Sequence, residues 1–283
     1  MEKKKTVEKK PLALVTHHRP HIDDICGMWL LARFWKPRSA PVFRFVSSSE
    51  RGPTDSKELW IGVGRGKFDE HKGDIGESAT TLVYQFLLEA EVAFSSVQKA
   101  ALDGLVRWVR DEDVGLHDAV ENRAFSIAAM LRSHFDLHGH DSTILVEFGF
   151  TLLDDIFAAM VNGEMLAADW QKRAEFASVW GRAVGVESAA YGVDDFAYQQ
   201  GFPLLVLLNP IRGFRAYRAA ARSSVDLTET YEALKRVEPK ADWYLHHSRK
   251  LLICGSDVAP DSHLSKLTLQ DLIRAVQPFG GEK

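Results

Sequence analysis

Cysteine is scarce. Cys26 and Cys254 are the only two in 283 residues, far apart and each within an apolar stretch. A disulfide scaffold needs several cysteines at short spacings in a small chain, so both are expected as reduced core thiols. An excess of either charge is also missing. The 35 Lys and Arg against 39 Asp and Glu leave a net charge of -4, which excludes nucleic-acid binding by bulk charge and leaves room only for a local basic groove. No apolar run approaches the roughly 18 residues that span a bilayer, so no membrane association is expected. The start has no long apolar segment with a small-residue cleavage site, so no secretory signal is read and a cytoplasmic location is expected. The basic stretch Met1–Lys10 reads as a solvated tail, with a nucleic-acid-binding arm as the alternative. There is no internal repeat and no low-complexity segment.

What is present is an alternation of strand and helix patterns in a chain long enough for two domains. Leu12 to Thr16 reads as a buried strand, Asp24 to Phe34 as a helix, Pro41 to Ser47 as a strand, Glu50 to Lys57 as a loop, and Leu59 to Val63 as a third strand. Such alternation predicts a parallel sheet with crossover connections, whose working loops lie beyond the carboxyl ends of the strands. Helical spacing of apolar residues follows over Ser78 to Leu88, Ser96 to Arg110, Ala124 to Phe135 and Thr143 to Met160. Leu166 to Tyr191 reads as one long bridging helix. Beyond Gly201 the pattern mixes again: strands at Leu204 to Leu208, Trp243 to His247 and Leu251 to Cys254, and helices at Asp226 to Arg236 and Leu267 to Val276. The fold class expected is α/β: a parallel-sheet N-terminal domain (11–165), a helical connector (166–190) and a smaller C-terminal α/β domain (191–283).

Four segments carry chemistry. In Thr16-His17-His18-Arg19-Pro20-His21-Ile22-Asp23-Asp24 a strand ends in histidines and carboxylates and turns into a helix. Residues four and six apart there can face one pocket, so His17, His21 and Asp23 form a natural ligand set, with His18 and Asp24 as orienting partners. Imidazole with carboxylate suits Mn, Fe, Zn or Co more than Ca or Mg. Capping of the strand and helix ends is the plain alternative. The second segment, Gly64 to Lys72, sets Asp69, Glu70 and His71 side by side, with Arg65, Lys67 and Lys72 favouring an anionic substrate. A charged surface turn is its plain alternative. In the third, Asp111, Glu112 and Asp113 sit at a helix C-terminus, where acids oppose the helix dipole. A bound cation or simple solvation accounts for them. In the fourth, His134, Asp136, His138, His140 and Asp141 read as an exposed loop, with a substrate-contacting loop as the alternative.

In this order the segments resemble the DHH-type phosphoesterase superfamily, and most of all the MYG-type branch of DHH-like exonucleases. Thr16-His17-His18-Arg19-Pro20-His21-Ile22-Asp23-Asp24 is similar to that branch's T-H-x-G-x-F-H-x-D-E with one residue fewer. Gly62-Val63-Gly64 and Phe68-Asp69-Glu70-His71 stand where the branch has D-V-G-G and F-D-H-H. Asp113-Val114-Gly115 resembles its D-N-G. His246-His247-Ser248, with Gly255-Ser256 after a short strand, resembles its late H-A-S-G-F-I-G-G element.

The resemblance implies a metal-dependent hydrolase acting on a phosphodiester in nucleic acid or a small nucleotide, with Mn as the expected ion, one or two bound. His17, His21, Asp23, Asp69, Glu70 and Asp113 are the implied ligands, and His71 and Asp24 the implied catalytic groups. Arg65, Lys67, His246, His247, Ser248, Gly255 and Ser256 are implied to hold the substrate. A homo-oligomer is compatible with it. Two positions depart from the pattern. Gly62 stands where the family has an aspartate bridging two metals, and Glu70 where it has a ligand histidine. A family member that has lost catalysis and binds a nucleotide or partner is the alternative these departures raise. A metallohydrolase acting on something other than phosphate is a third.

Overall fold

The computed structural model describes residues 12–35, 40–52, 57–73, 76–117 and 123–278, arranged in two compact units, Met1–Val161 and Asn162–Lys283. The tail Met1–Lys10 and residues 53–56 of the expected loop lie outside the described residues.

The first unit runs through β1 (Ala13–His17), α1 (Ile22–Phe34), β2 (Val42–Val46), β3 (Leu59–Trp60), a 3₁₀ turn (Glu70–Lys72), α2 (Ala79–Glu89), α3 (Ser96–Asp113), α4 (Ile127–Leu137) and α5 (Ser142–Trp170), which continues into the second unit. Its sheet has the order β2-β1-β3 with both pairings parallel. β1 is the middle strand, so Leu14 and Val15 are both fully buried although they face opposite ways. His17 pairs with Val46 at the carboxyl end of the sheet.

α1 is the crossover between β1 and β2. It packs against α2, α3 and α4, and every residue from Ile22 to Leu31 is buried. Enclosure on all sides explains why the helix is apolar around most of its circumference. Met28, Trp29, Leu30 and Leu31 join Val83, Leu87, Leu102, Leu105 and Leu145 in one core. Trp29 Nε1 and Arg33 Nε both donate to Asp154 Oδ1, at 2.8 and 2.9 Å, and tie α1 to α5. The enclosure also buries two carboxylates at the start of α1, Asp23 and Asp24, and buried charges need partners.

The second unit contains β4 (Ala174–Ser178), β5 (Gly181–Glu187), α6 (Val193–Gln199), β6 (Leu204–Leu208), β7 (Arg215–Ala219), α7 (Thr228–Val237), β8 (Trp243–Leu245), β9 (Leu251–Cys254) and α8 (Leu269–Arg274). The strands form one mixed sheet, β4-β5-β6-β7-β9-β8, antiparallel except for β5 with β6. Successive residues of β6 serve opposite faces: Leu204 and Val206 pack with Leu234, Leu272 and Ile273, whereas Leu205 packs with Trp170, Val193 and Ala197.

The α/β class and the parallel sheet of the first unit match the expectation from sequence. The helix expected over Leu166 to Tyr191 does not. α5 ends at Trp170, residues 174–187 form the β4–β5 hairpin, and the second unit begins at Asn162 without a helical connector reaching residue 190. The hairpin turns at Gly181, whose φ of 105 suits glycine. Its alanines carry helix propensity, which the cross-strand pairing overrides. Asp226 does not occupy the N-cap position of α7, which is Leu227; its carboxylate instead accepts from the backbone and hydroxyl of Thr228. Cys26 and Cys254 are free and buried, as expected. No helix among the described residues is long and apolar enough to cross a membrane.

Candidate metal centre

The chemistry-bearing loops converge at the carboxyl ends of β1 and β3. There they line a cavity of about 1030 Å³ with His17, His21, Asp24, Asp69, Glu70 and Asp113, among others. His17 is the last residue of β1 and His21 the residue just before α1. Arg19 between them adopts a left-handed φ of 53, and its N–H donates to Ser142 Oγ at 3.1 Å. This sharp turn brings the His17 and His21 rings to 5.3 Å, edge to face.

Two ligand groups meet in the cavity. In one, His17, His21 and Asp24 each offer an atom within 4.8 Å of the others; in the second, Asp23, Glu70 and Asp113 do the same. The spacing H-x3-H-x-D had put Asp23 with the histidines, and the structure corrects this. Adjacent residues of a helix point about 100° apart, and Asp23 and Asp24 fall in different groups here. Asp24 turns toward β1, where its Oδ2 lies 3.0 Å from His17 Nε2 and accepts the His21 N–H at 2.9 Å. Asp23 turns toward α2. It accepts the N–H groups of Ala79 and Thr80 at 2.8 and 2.9 Å, and Thr80 Oγ1 donates back to the Asp23 carbonyl at 2.7 Å. Asp23 therefore also satisfies the first N–H groups of α2.

Gly62 follows β3 with a left-handed φ of 63, and a Cβ built on it would lie 1.7 Å from Asp24 Oδ1. The carboxylate of Asp24 thus occupies the space that a side chain at 62 would need. A carboxylate delivered from α1 therefore fills the space beside position 62.

The electrostatics of this crowding are those of a site short of positive charge. Burial, and then the neighbouring Asp24, push the Asp23 carboxyl up to about 6. Burial, and then Asp23, push Glu70 up to about 7. Asp113 is raised as well, by burial and by Asp24. Glu70 Oε2 is buried with no hydrogen-bond partner among the described residues. His17 is raised too, to about 9, by its hydrogen bond to Asp24, which favours its charged form. Its Nδ1 donates to the His18 carbonyl at 2.8 Å, so both ring nitrogens are engaged. An unpartnered buried carboxylate oxygen among repelling acids, with the imidazole of His21 beside it, is the donor set that a divalent cation of the Mn, Fe or Zn type fits.

Other expected residues fall in several places. Asp69, Glu70 and His71 also lie within 4.8 Å of one another. Asp69, however, is buried and staples its own turn, accepting from the N–H groups of Arg65 and His71 and from His71 Nδ1. His71 stands at the rim, with Nδ1 2.9 Å from Asp69 and 3.2 Å from Glu70. Arg65 lines the cavity, but Lys67 does not: its Nζ sits over the Phe86 ring at 4.1 Å, and it lines a neighbouring depression with Trp60 and Phe68. Burying its stem on aromatic rings draws Lys67 away from the acids.

In the second unit, His246, His247 and Ser248 form the β8–β9 turn, where His246 Nδ1 lies 2.8 Å from Ser248 Oγ. Gly255 and Ser256 follow the opposite end of β9 and line a different cavity with Arg212 and Arg215. The structure does not bring the two segments together. In the fourth cluster the polar groups are used locally: His134 stacks on Phe148 at 4.0 Å, and Asp141 Oδ1 accepts the N–H groups of Thr143 and Ile144.

Sequence reasoning missed Arg19 and Arg51 as cavity-lining cations. Arg19 could have been noticed as the residue before Pro20 in the turn that presents both histidines. Nothing in the local sequence marks Arg51.

The family model described as the C-terminal domain of ChrB matches residues 14–160. No curated protein matches the chain. Among solved structures, one described as the DHH domain of a member of the s1p family of ribosomal proteins is similar over 94% of this chain and 85% of that one, at 11% identity and a TM-score of 0.30. Neither match names the MYG-type branch. The family match spans more than half of the chain and every residue of the two ligand groups, and on that match the chain belongs to the ChrB C-terminal domain family.

Proposed function

We propose that the first unit is a metal-dependent phosphoesterase that holds Mn or a similar divalent cation and hydrolyses a phosphodiester in nucleic acid or a small nucleotide. One observation carries this reading: the four carboxylates and two imidazoles of the two ligand groups gather in one cavity, with a buried Glu70 oxygen left unpartnered and Asp24 filling the side-chain space at Gly62. His21, Asp23, Asp24, Glu70 and Asp113 would hold the ion. A divalent cation supplies Lewis acidity toward a phosphoryl oxygen and toward an attacking water.

The remaining steps belong to side chains. His17 fixes the orientation of Asp24 through its Nε2. Arg19, Arg51 and Arg65 line the cavity and offset the charge of a phosphate. Asp69 and Glu70 raise the His71 imidazole above its ordinary value and engage Nδ1, leaving Nε2 to give a proton to the leaving oxygen.

The test is metal analysis of the purified protein, followed by hydrolysis of bis(p-nitrophenyl) phosphate with added Mn. Turnover should fall by at least roughly 100-fold in His21→Ala and Asp24→Asn. Absence of bound metal together with unchanged activity in both variants refutes the reading.

A second reading has its own support. The imidazolium of His17 already neutralises Asp24 at 3.0 Å, as in a module that binds a nucleotide or partner without metal. Binding of a nucleotide in EDTA, undiminished by His21→Ala, would favour it.

A further inference from the structure

Beside the metal centre lies a second cavity, of about 480 Å³, that no motif of the sequence marked. The two cavities share Arg19, His21 and Asp113. Beyond those shared residues the lining turns mostly apolar, with Glu112 its one further carboxylate. Ile22, Leu131, Phe135 and Leu145 form buried parts of the wall. Two guanidinium groups border it. Arg19 lies over the Phe135 ring at 5.4 Å from its centroid, and Arg132 lines the side formed by α4. Neither has an ion-pair partner among the described residues.

Arg19 holds its place at a cost. A non-glycine residue in the left-handed region costs on the order of 1 kcal/mol or more. The conformation is held by the hydrogen bond from Arg19 N to the buried Ser142 hydroxyl. The chain thus sets a cation over an aromatic face at the mouth of an apolar pocket, next to the candidate reaction centre. A volume of this size suits one small organic group, and guanidinium and phenyl planes favour a flat one.

We propose that this cavity is a specificity subsite for the flat, apolar group of an organic phosphate, whose phosphoryl end faces the metal centre through the shared edge at His21 and Asp113. Arg19 and Arg132 attract the anion, and the wall of Leu131, Phe135 and Leu145 selects an aryl group over a small alkyl one. This inference rests on the phosphoesterase reading and adds the side of the metal centre on which the organic group lies.

The test uses two ligands that are not hydrolysed, phenylphosphonate and methylphosphonate, titrated by calorimetry into the full chain with saturating Mn. Phenylphosphonate should bind at least about tenfold more tightly, as expected for burying one ring. Ala128→Trp fills the cavity from α4 and should bring the two affinities together, and Arg132→Ala should weaken phenylphosphonate binding severalfold. Thermal melting of both variants verifies folding. Equal affinities in the unaltered protein, or an aryl preference that survives Ala128→Trp, overturn the subsite and leave the metal centre standing. Failure of both phosphonates to bind a Mn-loaded protein overturns the phosphoesterase reading along with it.

Discussion

Gly62 and Asp24 share one volume: the carboxylate of Asp24 lies where a Cβ at 62 would stand, 1.7 Å from Oδ1. The relationship predicts an exchange. Gly62→Asp alone should displace Asp24, strain a left-handed residue and destabilise the protein by roughly 2–4 kcal/mol. Asp24→Gly should weaken Mn binding by at least about tenfold. The double variant Asp24→Gly with Gly62→Asp delivers a carboxylate to the same space from β3 and should recover part of the lost affinity. If calorimetry finds the double variant no better than Asp24→Gly alone, the two positions are not equivalent in space.

Metal-free protein should lose stability as pH rises from 6 to 9. His17 is raised from 6.5 to about 9, so its contribution is complete below pH 6.5 and disappears as pH climbs through 9. Asp23, raised to about 6, and Glu70, raised to about 7, act the same way: their neutral forms suit the folded state, and ionising them between about pH 4 and 7 costs stability. The combined loss should reach several kcal/mol, since one pKa unit corresponds to about 1.4 kcal/mol. Circular-dichroism melts in EDTA measure it; a transition temperature that stays flat or climbs over this range contradicts the assignment.

Adding Mn at pH 8 should reverse that loss. A ligand at 100 times its dissociation constant stabilises by about 2.7 kcal/mol. Glu70→Gln removes the unpartnered anionic oxygen and should shrink the Mn-dependent increase in melting temperature by at least half. An equal increase in Glu70→Gln would place the ion elsewhere.

Asp23 has a structural duty separable from any metal. Asp23→Ala leaves the N–H groups of Ala79 and Thr80 without an acceptor in a buried place, and should cost roughly 2–4 kcal/mol even in EDTA. Urea unfolding would detect it. A cost below about 1 kcal/mol would show that α2 does not depend on this carboxylate.

Arg65 and Lys67 are two residues apart but face different surroundings. Arg65→Ala should raise KM for an anionic phosphodiester severalfold, and Lys67→Ala should leave it within about twofold. A larger KM effect at Lys67 than at Arg65 would mean that the substrate crosses the aromatic depression instead.

The elements of the first unit were legible because each reports its own burial. Leu14 and Val15 read as a buried strand and Asp24 to Phe34 as a helix, although the enclosure of that helix on all sides showed only in the structure. The convergence of residues 17–24 and 62–71 followed from the rule that parallel strands present their working loops at one end; Asp113, the last residue of α3, did not follow from that rule. The β4–β5 hairpin was less legible, since Ala174, Ala177 and Ala183 suit a helix locally and only cross-strand pairing makes them strand.

Sequence alone determined that the chain has no disulfide framework and no bulk positive charge, that its first half is a parallel α/β unit, and that histidines and acids crowd the carboxyl end of that sheet. Tertiary structure decided how the ligands are divided. Asp23 and Asp24 are neighbours in the chain, yet the turn of α1 sends one to α2 with Glu70 and Asp113 and the other to the histidines and the empty side-chain space of Gly62. Spacing along a chain fixes which residue types are near one another; the direction in which each side chain points depends on backbone rotation and on the partners that neutralise a buried charge, and those exist only once the helices have packed.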